Sequence, residues 1–153
     1  MVWILRVMGI GLFSTLIMVL FLRILRLFGL AEVDVFRALG SLVTKTYRNS
    51  LVPGLIMLFT GGALFSLIYS YVIKYAPVQT EPGVILTGAA LGFVHGLTIT
   101  FLLVVMVAEY HPLESFRQRN VSVIISYLFG HVIYGLSVGF LLSSKYLAIL
   151  SKF

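Results

Sequence analysis

Four apolar runs, each close to 20 residues long, constrain this chain more than anything else in it. At a rise of about 1.5 Å per residue, such a run matches the roughly 30 Å hydrocarbon core of a bilayer. The runs lie near 7–28, 51–73, 84–108 and 121–142. Lipid offers no partner to a backbone N–H or C=O, so each run is expected to be a helix that pairs these groups within itself. The first extends from Val7 to Leu22, and on to Phe28 if Arg23 and Arg26 snorkel. Arg6 before an apolar run also resembles a secretory leader. No small-x-small cleavage site precedes Arg23, and the run is read as a membrane helix.

Composition agrees with that reading. Of 153 residues 60% are hydrophobic and 10% charged, too little polar surface to cover a soluble globule. The absence of cysteine excludes thiolate metal sites, thioether-linked haem and disulfides together. Three histidines and five carboxylates are then the whole inventory for metal binding or acid–base work. The net charge of +6 does not point to nucleic acid, because the basic residues sit at the ends of apolar runs and form no stripe with interleaved aromatics. They suit topology and anionic headgroups.

Between the first two runs, 31–48 has a different pattern. Val35, Phe36, Leu39, Leu42 and Val43 fall on one side of a helix; Asp34, Arg37, Ser41, Thr44, Lys45 and Arg48 fall on the other. This predicts an amphipathic helix capped by Asp34 and lying at the membrane surface with its apolar face down. The remaining connections, 74–83 and 110–120, are too short to be domains, so 1–153 is expected to be one four-helix bundle with an interfacial helix. In the second connection Pro112 is expected to open the last helix, with Glu114 in its first turn.

Basic residues set an orientation. The face carrying the loops at 23–50 and 110–120 holds Arg23, Arg26, Arg37, Lys45, Arg48, Arg117 and Arg119, against Arg6, Lys74, Lys145 and Lys152 opposite. The excess predicts cytoplasmic loops and both termini outside. Tyr69, Tyr71 and Tyr75 gather at the outer end of the second run, a position that suits a headgroup zone.

Within the runs, small residues recur at helical spacing. Gly88, Gly92 and Gly96 form a stripe with His95 beside it, and Gly135 and Gly139 follow His131 in the next run. Gly62 and Ser66 extend the theme to the second run, and Gly11 and Thr15 to the first. Lipid tails give helices no hydrophobic reason to associate, so close van der Waals contact at such stripes must supply it. The stripes allow tight packing within the chain, a face for another copy or another membrane subunit, or a groove for a lipid-like ligand.

His95 and His131 are the ionisable side chains deepest in the apolar runs, where such a group suggests function. His95 lies 14 residues before Glu109, and His131 lies 10 after Val121, about 21 Å and 15 Å from the shared loop. The antiparallel runs therefore place the two imidazoles within about a turn of each other in depth, flanking one seam. Three readings stay open. Each ring can donate its N–H to a carbonyl, Tyr or Ser across the interface as packing glue. The pair can ligate haem b, although helices in glycine contact leave no room between them for a porphyrin. Or it can handle protons or metal ions.

Glu109, His111 and Glu114 are a second candidate, for a divalent metal, at spacings that match no specific metal motif. No nucleophile lies in a turn beside a histidine and an acid, and no glycine-rich phosphate loop is present.

The segments "STLIM", "DVFRALGSL", "GGALFSLIYSYV", "TGAALGFVHGL", "HP" and "GHVIYGLSVG" together resemble a family of small prokaryotic four-helix membrane proteins of unknown function. The resemblance implies four helices and a prokaryotic inner membrane, and no activity. The second run, "LFTGGALFSLIY", departs from the family pattern in lacking a histidine near its start. The expected function is non-enzymatic, with self-association or membership of a larger membrane complex through the glycine faces and no bound cofactor. A redox or transport module built on His95 and His131 is the alternative.

Overall fold

The computed structural model describes residues 2–30, 34–77, 79–102, 108–117 and 121–150. It is all-helical among those residues: α1 (Val2–Leu27), α2 (Val35–Thr44), α3 (Leu51–Lys74), α4 (Glu81–Phe101), the single turn α5 (Ala108–Tyr110) and α6 (Val121–Leu150). Helices α1, α3, α4 and α6 are long and apolar enough to cross a membrane. Their outward side chains fit a lipid surround, since Phe13, Leu86, Phe129 and Phe140 are each more than half exposed.

The ends of the spans differ from the expected limits. α1 begins at Val2 and α6 runs on to Leu150. α4 starts earlier than Val84 because Thr80 caps it, its Oγ1 accepting from the Gly83 N–H at 3.3 Å, with Pro82 in the first turn. The expected far end of that span falls on 103–107, outside the described residues. Pro112 does not open the last helix. Glu114 instead begins a 3₁₀ turn, Glu114–Phe116, and α6 starts at Val121. The local cause is His111, whose Nδ1 accepts the Leu113 N–H at 3.1 Å while Arg117 Nε donates to the His111 carbonyl at 2.8 Å. Those bonds tie the segment into a turn before a helix can begin.

The amphipathic helix is present but shorter than 31–48. Asp34 caps it as expected, Oδ1 accepting from the Arg37 N–H at 3.1 Å. Lys45 ends it in the left-handed region at φ 55°, its N–H donating to the Ser41 carbonyl at 2.9 Å.

α4 and α6 lie along each other, α1 packs on both α3 and α6, and α2 crosses the start of α3. The glycines explain these approaches. A Cβ at Gly88 would meet the Gly139 Cα at 2.9 Å, and one at Gly92 the Val132 Cα at 3.0 Å. One at Gly139 would meet the Val84 carbonyl at 2.9 Å, and one at Gly11 the Gly62 carbonyl at 2.5 Å. The stripes containing Gly88, Gly92, Gly96, Gly135, Gly139 and Gly62 therefore face helices of the same chain. Between α1 and α3 a hydroxyl adds to the contact, Ser66 Oγ donating to the Val7 carbonyl at 2.8 Å. The apolar core gathers Val7, Met18, Leu22, Tyr69, Ile73, Val84, Tyr134, Val138 and Leu142.

α3 and α4 approach each other far less closely. They meet through large side chains, Phe65 stacking on His95 at 3.8 Å between ring centroids and Tyr69 reaching the same histidine. Large side chains across a wide gap leave space beside them.

Candidate functional site

That space is a partly open cavity of about 210 Å³ in the half of the bundle that α2 covers. Every long helix contributes to it: Met18 and Leu22 from α1, Met57 and Phe65 from α3, His95 and Ile99 from α4, Tyr127, His131 and Tyr134 from α6. Val35 and Leu39 of α2 complete the wall. The apolar face of α2 is therefore turned at least partly onto the bundle. Its backbone comes close to α3 at Gly40 and Gly54, where a Cβ on either would overlap backbone atoms of the other helix or its cap.

His95 and His131 come together as their depths and glycine seam predict. Their rings meet edge to face, 4.8 Å between centroids and 76° between planes. His131 Nδ1 lies 2.7 Å from the Tyr127 carbonyl one turn earlier. A carbonyl only accepts, so Nδ1 carries the proton and Nε2 is left as an acceptor. His95 Nδ1 lies 3.1 Å from the hydroxyl of Tyr69, a residue 3% exposed. Its O–H has no other partner among the described residues, and an unmade buried bond costs about 1–3 kcal/mol. Tyr69 thus donates to His95 Nδ1, which puts the His95 proton on Nε2. One imidazole offers a donor and the other an acceptor, and neither Nε2 has a hydrogen-bond partner among the described residues.

A porphyrin does not fit between these two ligands. Axial imidazoles must point at the iron from opposite faces of the ring, whereas these rings touch edge to face on helices whose backbones meet at Gly92 and His131.

Tyrosines complete the site. Tyr134 packs edge to face on Tyr69 at 5.5 Å and donates its O–H to the Gly62 carbonyl at 2.5 Å. Tyr127, also a lining residue, carries a buried hydroxyl without a hydrogen-bond partner among the described residues. Apolar periodicity alone does not single out Tyr127 or Tyr134, and it reads Tyr69 as a headgroup aromatic. Only Tyr71 and Tyr75 are exposed there, 5.0 Å apart between centroids. Spacing held the missed signal: Tyr69 follows Gly62 and Ser66 on one helical face, and Tyr134 lies three residues after His131.

The second candidate group does not assemble. His111 is 2% exposed and turns toward α2, its Nε2 3.1 Å from the Ala38 carbonyl and 3.5 Å from Ser41 Oγ, while Glu109 and Glu114 are exposed. Among the described residues no three His, Asp or Glu side chains converge to hold a metal ion. A larger hollow of about 360 Å³, lined by Phe13, Ile17, Ile85, Leu136, Ser137, Phe140 and Leu141, has a single polar side chain. That side chain, Ser137, already donates to the Ile133 carbonyl at 2.8 Å. Volume alone gives it nothing with which to orient a ligand.

Set against known proteins, the chain matches no family model, no curated protein and no solved structure.

Proposed function

We propose that this chain is an integral protein of a prokaryotic cytoplasmic membrane that acts by binding, not by catalysis, and that its ligand is a small amphipathic molecule held in the cavity beneath α2. The observation that carries this reading is the cavity's lining. Apolar walls from five helices surround His95 and His131, whose Nε2 atoms have no hydrogen-bond partner among the described residues, in a bundle whose α4–α6 and α1–α3 seams pack through glycine contacts. An apolar pocket with a few converging polar groups is the usual form of a small-molecule site. Ionisable groups among apolar helices ordinarily mark a ligand or ion path.

In this reading the loops at 23–50 and 110–120 face the cytoplasm, both termini lie outside, and α2 sits at the cytoplasmic interface. Assembly with a second copy or a larger complex through the glycine faces has less support, because those glycines already contact helices of their own chain.

The test uses Gly61, which lines the cavity and where an added Cβ would meet nothing within 4 Å. Gly61→Leu fills the space without opposing backbone. Native mass spectrometry of protein taken from its own membrane in mild detergent should show a small-molecule adduct that the variant loses at unchanged thermal stability. Identical spectra for the two proteins would refute the reading. So would a reducible haem spectrum at near-stoichiometric yield, which would return His95 and His131 to ligation.

A further inference from the structure

We infer that the cavity selects a phenol-type head group, one oxygen that both accepts and donates, bridging His95 and His131. This inference rests on the binding reading and specifies its ligand class.

Neighbouring groups fix the tautomer of each histidine. The Tyr127 carbonyl holds the His131 proton on Nδ1, and the buried Tyr69 hydroxyl holds the His95 proton on Nε2. The two side chains therefore present an acceptor and a donor, in fixed roles, on rings 4.8 Å apart between centroids. A hydroxyl satisfies both, accepting from His95 Nε2–H and donating to His131 Nε2. An ionised carboxylate or a phosphodiester cannot donate to His131, and a ketone or ether cannot either; each would leave a buried group unpaired. Chemistry of this kind discriminates strongly, since a site built to pair a hydroxyl rejects the analogue that lacks it.

Size and wall chemistry narrow the head group further. An apolar cavity of about 150 Å³ holds benzene, so about 210 Å³ admits a substituted benzene ring. Phe65, Tyr127 and Tyr134 line it and offer ring faces and edges. Phe65 stacks on His95 at 3.8 Å and fixes the plane of the donor ring. Tyr127 contributes ring surface to the wall, and its hydroxyl is itself buried. An alkyl tail leaves by the cavity's opening, so the class is an alkylated phenol or hydroquinone.

The experiment titrates 4-hexylphenol and its methyl ether, 4-hexylanisole, into the full chain in nanodiscs, reading the quenching of the protein's tyrosine and Trp3 emission. Partition into empty nanodiscs is subtracted. The inference expects the phenol to bind saturably and at least about tenfold more tightly than the ether. The preference should collapse in His131→Phe, which keeps the ring and loses the acceptor. Gly61→Leu should abolish saturable binding of both probes. Equal binding of phenol and ether to the wild-type protein, lost in Gly61→Leu, would leave the cavity as a binding site and overturn the donor–acceptor inference. Saturable binding of neither probe would overturn the inference on its own. If the native adduct were also unaffected by Gly61→Leu, the binding reading would fall with it. The comparison of probes on the wild-type protein decides the matter even if His131→Phe does not fold.

Discussion

His95 and His131 stand edge to face, 4.8 Å between ring centroids, yet each takes its proton position from a different neighbour at its own Nδ1. For His131 that group is the Tyr127 carbonyl; for His95 it is the Tyr69 hydroxyl. The pair is thus two independently fixed rings facing a shared space. A neutral imidazole with one nitrogen engaged has one useful nitrogen left, and which one is left decides what it recognises.

The tautomers can be read directly. Nitrogen-15 spectra of histidine-labelled protein at neutral pH should show His131 protonated at Nδ1 and His95 at Nε2. Tyr69→Phe removes the donor that holds His95, so its signal should move toward a tautomer mixture while that of His131 stays in place. Matching tautomers in the wild-type protein would contradict the assignment.

The α4–α6 seam depends on the absence of Cβ atoms. At Gly88 and Gly92 an added methyl would press on backbone of α6, which cannot rotate away as a side chain can. Gly92→Leu should therefore cost at least about 1–3 kcal/mol, the ordinary range for overpacking, and more if the helices separate. Gly9→Leu is the matched control, since nothing lies within 4 Å of its Cβ position. Denaturant titration in mixed micelles followed by circular dichroism checks both. Equal stability of the two variants would mean that the seam is not held by close backbone contact.

Much of this architecture is legible in the sequence, and the reason is the solvent. Apolar length sets the spans, and small residues at intervals of three and four mark where helices touch, as at Gly88, Gly92 and Gly135. The depth of His95 and His131 also follows from counting along antiparallel helices. Pairings set by single side-chain rotamers do not follow. Tyr69 reads as an interfacial aromatic beside Tyr71 and Tyr75, and only the rotation of α3 turns it inward to His95. His111 reads as a metal ligand beside two carboxylates; its burial against Ala38 and Ser41 depends on a loop crossing to α2, which no local pattern encodes.

His111 is a strut. It joins the loop to α2 through the Ala38 carbonyl and holds the Leu113 N–H, with Phe116 packed edge to face on its ring at 5.1 Å. His111→Ala removes two or three hydrogen bonds and a buried ring, a loss of about 2–4 kcal/mol by ordinary magnitudes. Hydrogen exchange should rise over 108–117 and 35–44 first, with the α4–α6 seam protected longer. A uniform rise over the whole chain would show that the strut has no local role.

Ser66 tests how much a hydroxyl adds between helices in lipid. Its Oγ reaches the Val7 carbonyl on α1 and also the Ala63 carbonyl on its own helix, at 2.8 and 2.7 Å. Since it can keep the second bond when the first is lost, Ser66→Ala should cost only about 0.6 kcal/mol, the average for such bonds in membranes. Ser66→Leu should cost several times more, because a Cβ position on Gly11 already lies 2.8 Å from the Ser66 Cβ and leaves no room for a larger side chain. Unfolding titrations that rank the two variants in the opposite order would make the hydroxyl, and not the small volume, the reason for serine here.

The two ends of α2 should respond in opposite directions, and the cavity should report both. Asp34 supplies an N-cap bond and lies 3.6 Å from Arg37 Nε, so Asp34→Ala should fray the helix at a cost of about 1 kcal/mol. Lys45 occupies φ 55°, a region that costs a side-chain-bearing residue about 1 kcal/mol and glycine almost nothing, so Lys45→Gly should tighten the other end. Val35 and Leu39 of this helix line the cavity. If α2 is its lid, fraying should speed the release of a bound phenol and tightening should slow it, with the change falling on dissociation and not on association. Stopped-flow release of 4-hexylphenol that is unchanged in both variants, despite altered exchange at 35–44, would show that the ligand leaves by a route α2 does not cover.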